Sequence, residues 1–281
     1  MANKPVLLIT RDMPPLVEAR AIDNYEARLN REDKIYDADG LIAAAEGADA
    51  LLTCGTEPLP REIFENLPKS VKIIACFTAG YDHVDLAAAE ARNIVVTNAP
   101  DALTDAVADI ALLLLLGAAR RAGEGEAIMR SGGWIDKHML AMTGSEISGK
   151  RLGILGMGRI GRAAATRARA FGLEIHYHNR SRLAADWEAG AIWHKSAESL
   201  LECSDFLSLH CPSNAESRNF LNEQRIALLP KGAIIINTAR GDVVDDAALI
   251  AALESRRVQA AGLDVYCGEP HNIHPGYARL A

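Results

Sequence analysis

Positive charge is scarce in this sequence of 281 residues, in which 30 Lys and Arg stand against 37 Asp and Glu. The net charge of −7 argues against a nucleic-acid or anionic-membrane partner, since both require concentrated positive charge. Long apolar runs are lacking too. The most apolar stretch, IALLLLLGAA at 110–119, is far shorter than the roughly 20 residues of a membrane span and predicts a buried helix.

The sequence also lacks a C-x-x-C pair and a signal peptide. Its cysteines are Cys54, Cys76, Cys203, Cys211 and Cys267, an odd number without metal-site spacing. The first residues, MANKPVLLITRD, contain too short an apolar run for secretion. We therefore predict free thiols in a cytoplasmic protein. A chain of 281 residues is long enough for one large or two ordinary domains, and its 49% hydrophobic and 24% charged residues are typical of a globular protein.

Short apolar runs alternate with helical patterns along most of the chain. The predicted strands are 5–10, 48–54, 71–77, 93–98, 151–156, 173–178, 205–211, 232–238 and 260–265. They are rich in Val, Ile and Leu with little alternation, which is typical of parallel strands buried on both faces. We predict an α/β protein with two doubly wound parallel sheets, divided into domains 1–99 and 100–281.

Helical patterns fill the segments between these strands. Among them are PLVEARAIDNYEARL (15–29), GRAAATRARAFG (161–172) and DAALIAALES (246–255). A longer helical segment is predicted from about Thr104 to Arg130, between the two sets of strands.

A glycine-rich turn follows the predicted strand 151–156. Gly156, Gly158 and Gly161 form G-x-G-x-x-G between a strand and a helix, which is the context of a dinucleotide site. The first glycine permits a tight turn, the second a close approach to pyrophosphate, and the third close packing of helix on strand. The alternative is a strand–helix turn without a ligand.

A carboxylate is missing where NAD-binding proteins usually hold the ribose hydroxyls, at the end of the second strand. Asn179, Arg180, Ser181 and Arg182 stand there instead. Guanidinium groups and a hydroxyl suit a 2′-phosphate, so these residues favour NADP, and NADPH over NADH. The alternative is a solvated basic turn.

Charged residues follow two later strands. Arg240 comes just after the strand 232–238, while Asp264 and Glu269 follow the next strand. Ligands of open α/β sheets bind at such strand ends, so Arg240 could bind an anionic substrate and Glu269 could tune a proton donor. The alternative is a surface ion pair.

Six stretches together resemble the D-isomer-specific 2-hydroxyacid dehydrogenases. They are TAGYDHVDLAAAEARNIVVTNAP (78–100), LTDAVADIALLLLL (103–116), GKRLGILGMGRIG (149–161), LHCP (209–212), NTARGDVVD (237–245) and AGLDVYCGEP (261–270). Within that family, HNRSR and GGW are most similar to NADPH-dependent glyoxylate/hydroxypyruvate reductases. The resemblance implies a flavodoxin-like substrate domain, a Rossmann nucleotide domain and reduction of a small 2-oxo acid to the D-2-hydroxy acid.

The resemblance also implies roles for individual residues. Ala79, Gly80 and Arg240 would bind the substrate, with Arg240 and Glu269 as the catalytic pair. The nucleotide would be bound by Thr104, Gly156, Gly158, Arg159, Ile160, Gly161, Asn179, Arg180, Ser181, Arg182, His210, Cys211, Pro212, Thr238, Ala239 and Asp264. An arm at about 104–148 would form a homodimer.

The family's Pro-His motif, whose histidine protonates the carbonyl, does not follow Glu269 in this sequence. We expect a C-terminally shortened form, in which His271 and His274 are surface residues. The alternative function is an NADP(H)-binding regulatory or scaffold protein without turnover. No metal site is predicted, because His176 and His178 share one face of a strand but lack an evident third ligand.

Overall fold

The computed structural model describes residues 4–134 and 142–280. The chain forms two compact units, Met1–Leu103 and Thr104–Ala281. Each contains one parallel sheet with helices, so the predicted fold class is confirmed. The assignment of a substrate domain to 1–99 and a nucleotide domain to 100–281 stays a prediction.

The first unit contains a five-stranded sheet in the order β2-β1-β3-β4-β5, which is the flavodoxin-like order. Its strands are β1 (Val6–Ile9), β2 (Glu26–Leu29), β3 (Ala50–Thr53), β4 (Ile73–Cys76) and β5 (Val95–Thr97). Its helices are α1 (Pro15–Asn24), α2 (Ala38–Ala44), α3 (Arg61–Asn66) and α4 (Leu86–Ala91). Leu8 belongs to one hydrophobic cluster while Leu7 and Ile9 belong to another, so the sheet is buried on both faces.

The second unit contains a six-stranded sheet in the order β11-β10-β9-β6-β7-β8, with every pair parallel. Its strands are β6 (Arg151–Leu155), β7 (Glu174–His178), β8 (Ile192–Trp193), β9 (Phe206–Leu209), β10 (Ala233–Asn237) and β11 (Val258–Leu263). Counted within the unit, this is the 3-2-1-4-5-6 order of the Rossmann fold. The order reverses between β6 and β9, where such folds bind their ligands.

The helices of the second unit cover both faces of its sheet. They are α5 (Thr104–Ala119), α6 (Ala122–Arg130), α7 (Arg159–Ala170), α8 (Ala185–Glu188), α9 (Ala197–Cys203), α10 (Glu223–Ile226) and α11 (Asp246–Glu254), with 3-10 turns at Gly241–Val243 and Tyr277–Arg279. Ile234 and Ile236 lie in one buried cluster and Ile235 in the other, because successive side chains of a strand point to opposite faces. No helix among the described residues is long and apolar enough to cross a bilayer.

Two edge strands were not predicted. The helix predicted over 15–29 ends at Asn24, and Glu26–Leu29 forms β2 beside β1. Strand β8 contains only two residues, too few to give a periodic pattern. Both segments are set by pairing with a neighbouring strand, which overrides the helix propensity of a sequence such as Glu-Ala-Arg-Leu.

The helical segment predicted over 104–130 is two helices. Helix α5 ends at Ala119, and Arg121 has a left-handed backbone with φ of 55° before α6 begins. The amide of Ser145 donates to the Ala119 carbonyl at 2.8 Å, and a Cβ on Gly144 would lie 2.4 Å from that oxygen. The chain at 144–145 therefore caps the end of α5, where a continuing helix would need the same carbonyl.

Helix α5 packs directly on strand β11. A Cβ added at Gly262 would lie 2.8 Å from Leu114 Cβ and 3.0 Å from the Leu114 carbonyl oxygen. Gly117, three residues along the same helix, has no atom within 4 Å of such a Cβ. A substitution at Gly262 therefore tests the packing of α5 on β11, whereas a substitution at Gly117 tests helix propensity alone.

We expect Gly262→Ala to lower the free energy of unfolding by about 1–3 kcal/mol, because the added methyl pushes α5 away from β11. Gly117→Ala is the matched control and should raise stability by up to about 1 kcal/mol, since Ala favours the helix. Urea unfolding of both variants measures the difference. Equal effects of the two substitutions would contradict the close packing at Gly262.

Candidate active site

The turn after β6 forms a cradle that requires glycine at the first and third of its three glycine positions. Gly156 has φ of +93°, and a Cβ there would lie 2.7 Å from the Cys211 amide nitrogen and 2.8 Å from the His210 carbonyl carbon. A Cβ on Gly161 would lie 2.6 Å from the Gly156 oxygen. At Gly158, by contrast, nothing stands within 4 Å. The first and third glycines fix the turn, and the second leaves the space that a pyrophosphate requires.

Helix α7 begins directly at this cradle. Gly158 is its N-cap, and Arg159 and Ile160 form the first turn, which contains no acidic residue. The partial positive charge of a helix N-terminus attracts phosphate groups. The cradle and the helix end therefore fit the pyrophosphate of a dinucleotide.

A cavity of about 480 Å³ opens beside the cradle within the second unit. The sequence-predicted residues that line it are Gly156, Gly158, Asn179, Arg180, Ser181, His210, Cys211 and Pro212. Residues that the sequence analysis missed are Leu155, His178, Asn214, Glu216, Ser217 and Phe220. The polar loop SNAES (213–217) begins two residues after the predicted strand 205–211, and it is the signal that could have identified Asn214, Glu216 and Ser217.

Asn179, which directly follows β7, stabilises the glycine turn through side-chain contacts with the Met157 backbone. Its Oδ1 accepts a hydrogen bond from the Met157 amide at 2.7 Å, and its amide nitrogen lies 3.4 Å from the Met157 carbonyl oxygen. Asn179 therefore shapes the cradle in addition to lining the cavity. Arg180 and Ser181 follow as exposed residues at the cavity wall.

Arg182 forms an ion pair with Glu188 and does not line the cavity. Its Nε and Nη2 donate to the two carboxylate oxygens of Glu188 at 2.8 and 3.0 Å. Glu188 is buried and also accepts a 2.6 Å hydrogen bond from the Tyr177 hydroxyl. The Arg182 contact lowers the pKa of Glu188, and the Tyr177 hydrogen bond adds to that shift. Among the predicted basic residues, Arg180 lines the cavity and Arg182 does not.

His210 and Cys211 form a neutral wall opposite the cradle. Burial lowers the pKa of His210 to about 4 and raises the pKa of Cys211 to about 11. His210 Nε2 lies 2.9 Å from the Ser208 hydroxyl, and Nδ1 lies 3.5 Å from the Thr238 hydroxyl. Neither His210 nor Cys211 therefore carries charge near neutral pH, which suits the base and ribose of a nucleotide.

The turn that follows β10 presents Arg240. The buried Asn237 side chain holds this turn by donating to the Arg240 carbonyl at 2.9 Å and accepting from the Ala239 amide at 3.0 Å. Gly241 has no room for a side chain, since a Cβ would lie 2.0 Å from the Tyr266 carbonyl carbon. The loops after β10 and β11 are thus pressed together at this edge of the sheet.

Asp264 and Glu269 lie on the second of these loops. The Asp264 amide donates to the Asn237 carbonyl at 3.0 Å, which continues the pairing of β11 with β10. Glu269 Oε2 accepts a hydrogen bond from the Tyr266 amide at 2.9 Å. Arg240 Nη1 donates to the Ala239 carbonyl at 2.7 Å. Arg240, Asp264 and Glu269 therefore lie on the segments that follow the neighbouring strands β10 and β11, and their roles in a site stay predictions.

The predicted substrate loop belongs to the first unit. The Thr78 hydroxyl donates to the Gly80 carbonyl at 2.7 Å, and the Asn98 side chain donates to the Ala79 carbonyl at 2.7 Å. These contacts hold the loop in one conformation after β4. Thr104 is the first residue of α5. The predicted dimerisation arm includes 135–141, which lie outside the described residues.

A family model described as the D-isomer specific 2-hydroxyacid dehydrogenase, NAD binding domain, matches residues 112–277. The chain belongs to this family. It is therefore an oxidoreductase with a domain for a nicotinamide cofactor, and the glycine cradle described above fits that group. The scaffold alternative is not favoured, because the similar proteins are enzymes.

Individual relatives of this dehydrogenase are similar over nearly its whole length. It is 44% identical to glycerate dehydrogenase of Hyphomicrobium methylovorum, over 99% of this chain and 87% of the relative. It is 43% identical to glyoxylate reductase of Thermococcus litoralis, over 95% and 82%. The structure of NADPH-dependent glyoxylate/hydroxypyruvate reductase from Sinorhizobium meliloti, in complex with NADP and malonate, matches at 33% identity, over 98% and 83%, with a TM-score of 0.87.

The depressed pKa of His210 predicts that the dehydrogenase loses stability in acid. An unfolded histidine binds its proton near pH 6.5, whereas His210 stays neutral down to about pH 4. The stability that the neutral His210 contributes is complete above the pKa of the unfolded histidine. It falls as the pH drops toward the pKa of His210 in the folded state. Between about pH 7.5 and about pH 5 it should decrease by about 2 kcal/mol.

Urea unfolding of the wild type and of His210→Gln across this pH range measures that contribution. The variant should lose about 2 kcal/mol less than the wild type on acidification, whatever its stability at neutral pH. Parallel pH profiles for the two proteins would show that His210 does not titrate with a depressed pKa.

Proposed function

We propose that this dehydrogenase reduces a small 2-oxo acid, glyoxylate or hydroxypyruvate, to the D-2-hydroxy acid with NADPH. The choice of NADPH rests on the residues that follow β7. Asn179 stands at the position where a carboxylate would select NAD, and Arg180 and Ser181 follow it on the cavity wall. The names of the Thermococcus and Sinorhizobium relatives support the substrate class.

The 2′-phosphate of NADPH would be held by Arg180 and Ser181. A guanidinium and a hydroxyl offer charge-assisted and neutral hydrogen bonds to phosphate oxygens. Arg182 contributes indirectly, because its pair with Glu188 fixes the segment that follows. His210 and Cys211 are neutral, so Arg180 and Glu216 are the charged Arg and Glu side chains among the residues that line the cavity.

The nicotinamide group, when bound, supplies the hydride that the carbonyl carbon of the substrate accepts. Arg240 would bind the substrate carboxylate and the carbonyl oxygen, so that its charge meets the negative charge that develops on that oxygen. Ala79 and Gly80 would bind the carboxylate through the backbone. Glu269 would orient the group that protonates the oxygen and raise its pKa.

Two further proposals concern assembly and location. We propose a homodimer formed through the arm at about 104–148. Leu113 on α5, Met129 on α6 and Trp134 after α6 support it, because all three are large apolar residues that are more than half exposed. A cytoplasmic location remains a proposal as well, and the free state of all five cysteines agrees with it.

Arg180→Ala should weaken NADPH binding about tenfold or more, since one charge-assisted contact contributes roughly 1.5–3 kcal/mol. NADH binding should change less than about threefold, because NADH has no phosphate for Arg180 to contact. Fluorescence titration with both nucleotides gives the two dissociation constants.

Arg182→Ala is the matched control for this titration. It should leave the ratio of the two dissociation constants nearly unchanged but lower the melting temperature, because Glu188 loses its bidentate partner. A loss of NADPH preference in Arg182→Ala but not in Arg180→Ala would reverse the assignment. Equal affinity of the wild type for NADH and NADPH would refute the cofactor proposal.

Arg240→Lys should lower kcat/KM for glyoxylate and hydroxypyruvate by at least about 100-fold, since Lys lacks the planar fork that can hold a carboxylate and a carbonyl together. This corresponds to roughly 3 kcal/mol of transition-state stabilisation. NADPH oxidation under steady-state conditions measures it, with Arg61→Lys, on the exposed side of α3, as control.

Arg61→Lys should keep wild-type kinetics, and Arg240→Lys should keep the wild-type affinity for NADPH. A nearly normal kcat/KM in Arg240→Lys would remove Arg240 from the proposed role. Failure of the wild type to reduce either 2-oxo acid would refute the substrate assignment itself.

A further inference from the structure

Three side chains that carry metal-binding atoms lie close together at β7, β8 and α9. None of them has a proposed role in the dehydrogenase chemistry. His176 is in β7, His194 directly follows β8, and Cys203 is the last residue of α9. His176 Nδ1 lies 2.8 Å from His194 Nε2, while Cys203 Sγ lies 3.5 Å from the former and 3.6 Å from the latter.

These separations are close to those of a tetrahedral zinc site. With Zn–N of about 2.0–2.1 Å and Zn–S of about 2.3 Å, two ligands lie about 3.3 Å apart if both are nitrogen and about 3.6 Å apart if one is sulfur. Both sulfur–nitrogen distances fit without movement. Only the two imidazoles would need to separate, by about half an ångström.

The outer nitrogens of both rings also face acceptors, as they do around bound metals. The Ser199 hydroxyl donates to the Ser196 carbonyl at 3.0 Å, so its oxygen can accept from His194 Nδ1 at 3.2 Å. His176 Nε2 lies 3.5 Å from a carboxylate oxygen of Glu174. These neighbours favour the tautomers in which His194 Nε2 and His176 Nδ1 both turn a lone pair toward Cys203.

A direct hydrogen bond between the rings requires a change at one of their neighbours. With His194 protonated on Nδ1, His176 has to donate from Nδ1 and leaves a lone pair on Nε2 beside the Glu174 carboxylate. With His194 protonated on Nε2, the Ser199 hydroxyl has to turn from the Ser196 carbonyl and donate to His194 Nδ1. His176 Nε2 is buried and has no hydrogen-bond partner among the described residues. A cation between the rings accepts both inner lone pairs and places the Nε2 proton opposite Glu174.

We propose that His176, His194 and Cys203 bind a zinc ion. Two imidazoles and one thiolate form a ligand set that zinc accepts, and the partial exposure of His194 and Cys203 admits water as the fourth ligand. The Cys203 thiol releases its proton to solvent on binding. The ion ties β7, the two-residue strand β8 and α9 together at the edge of the sheet.

The site also adjoins the nucleotide cavity. His178 Nδ1 lies 2.8 Å from the His194 carbonyl oxygen, and His178 lines the cavity. Zinc bound to His194 would thereby stabilise the position of His178, which lies on the cavity wall two residues before Arg180. The proposal does not depend on the choice of NADPH or of the 2-oxo acid, since its ligands take no part in either.

Titration of chelator-treated protein with Co²⁺ tests the site. One equivalent per chain should produce the visible absorption of tetrahedral cobalt and a near-ultraviolet thiolate-to-cobalt band, and Zn²⁺ should abolish both by displacement. Cys203→Ser should lose the thiolate band, while Cys267→Ser, which changes an exposed thiol, should keep it. Zinc should raise the melting temperature of the wild type but not that of Cys203→Ser.

Absence of a thiolate band in the wild type, or its persistence in Cys203→Ser, overturns the proposal and leaves a hydrogen-bonded packing cluster. If Cys203→Ser does not fold, alkylation of the wild type replaces it. Zinc should slow iodoacetamide modification of Cys203 at least tenfold and leave Cys267 unaffected, as read by peptide mass spectrometry. Equal slowing of the two thiols, or of neither, is again the contrary result.

Discussion

The approach of two backbones at Gly156 is the constraint on which the nucleotide site depends. The turn after β6 reaches within van der Waals distance of the chain after β9, and its positive φ excludes an ordinary side chain. Because β6 and β9 flank the point where strand order reverses, this contact places His210 and Cys211 opposite the start of α7. The cavity is the space that this close approach leaves open.

The central strands of both sheets could be predicted because parallel strands that are buried on both faces are nearly continuous apolar runs. The edge strands β5 and β11 were predicted as well, but β2 and β8 were not, since β2 is the partly charged sequence Glu-Ala-Arg-Leu and β8 contains only two residues. The glycine positions and the rim around Arg240 followed from motifs that combine spacing with context. The division of roles between Arg180 and Arg182 did not, because it depends on a buried carboxylate, Glu188.

The cluster of His176, His194 and Cys203 shows a second limit of sequence reasoning. His176 and His178 are visible as a pair, and alternation correctly places them on one face. Their partners differ, however: His176 Nδ1 faces the His194 side chain, 18 residues away, while His178 Nδ1 faces the His194 backbone carbonyl. Cys203 stands 27 residues from His176. Only the pairing of β7 with β8 and the packing of α9 bring such distant residues together.

Few of the residues that line the cavity carry charge. Burial keeps His210 and Cys211 neutral, and Glu188 occupies the guanidinium of Arg182. Arg180 and Glu216 are the residues of opposite charge among those that line the cavity. Under the proposed function, a 2′-phosphate is attracted by Arg180 and repelled by Glu216, and both side chains are exposed. Interactions of exposed charges are screened by salt, so the proposed preference for NADPH should be stronger at low ionic strength than at high.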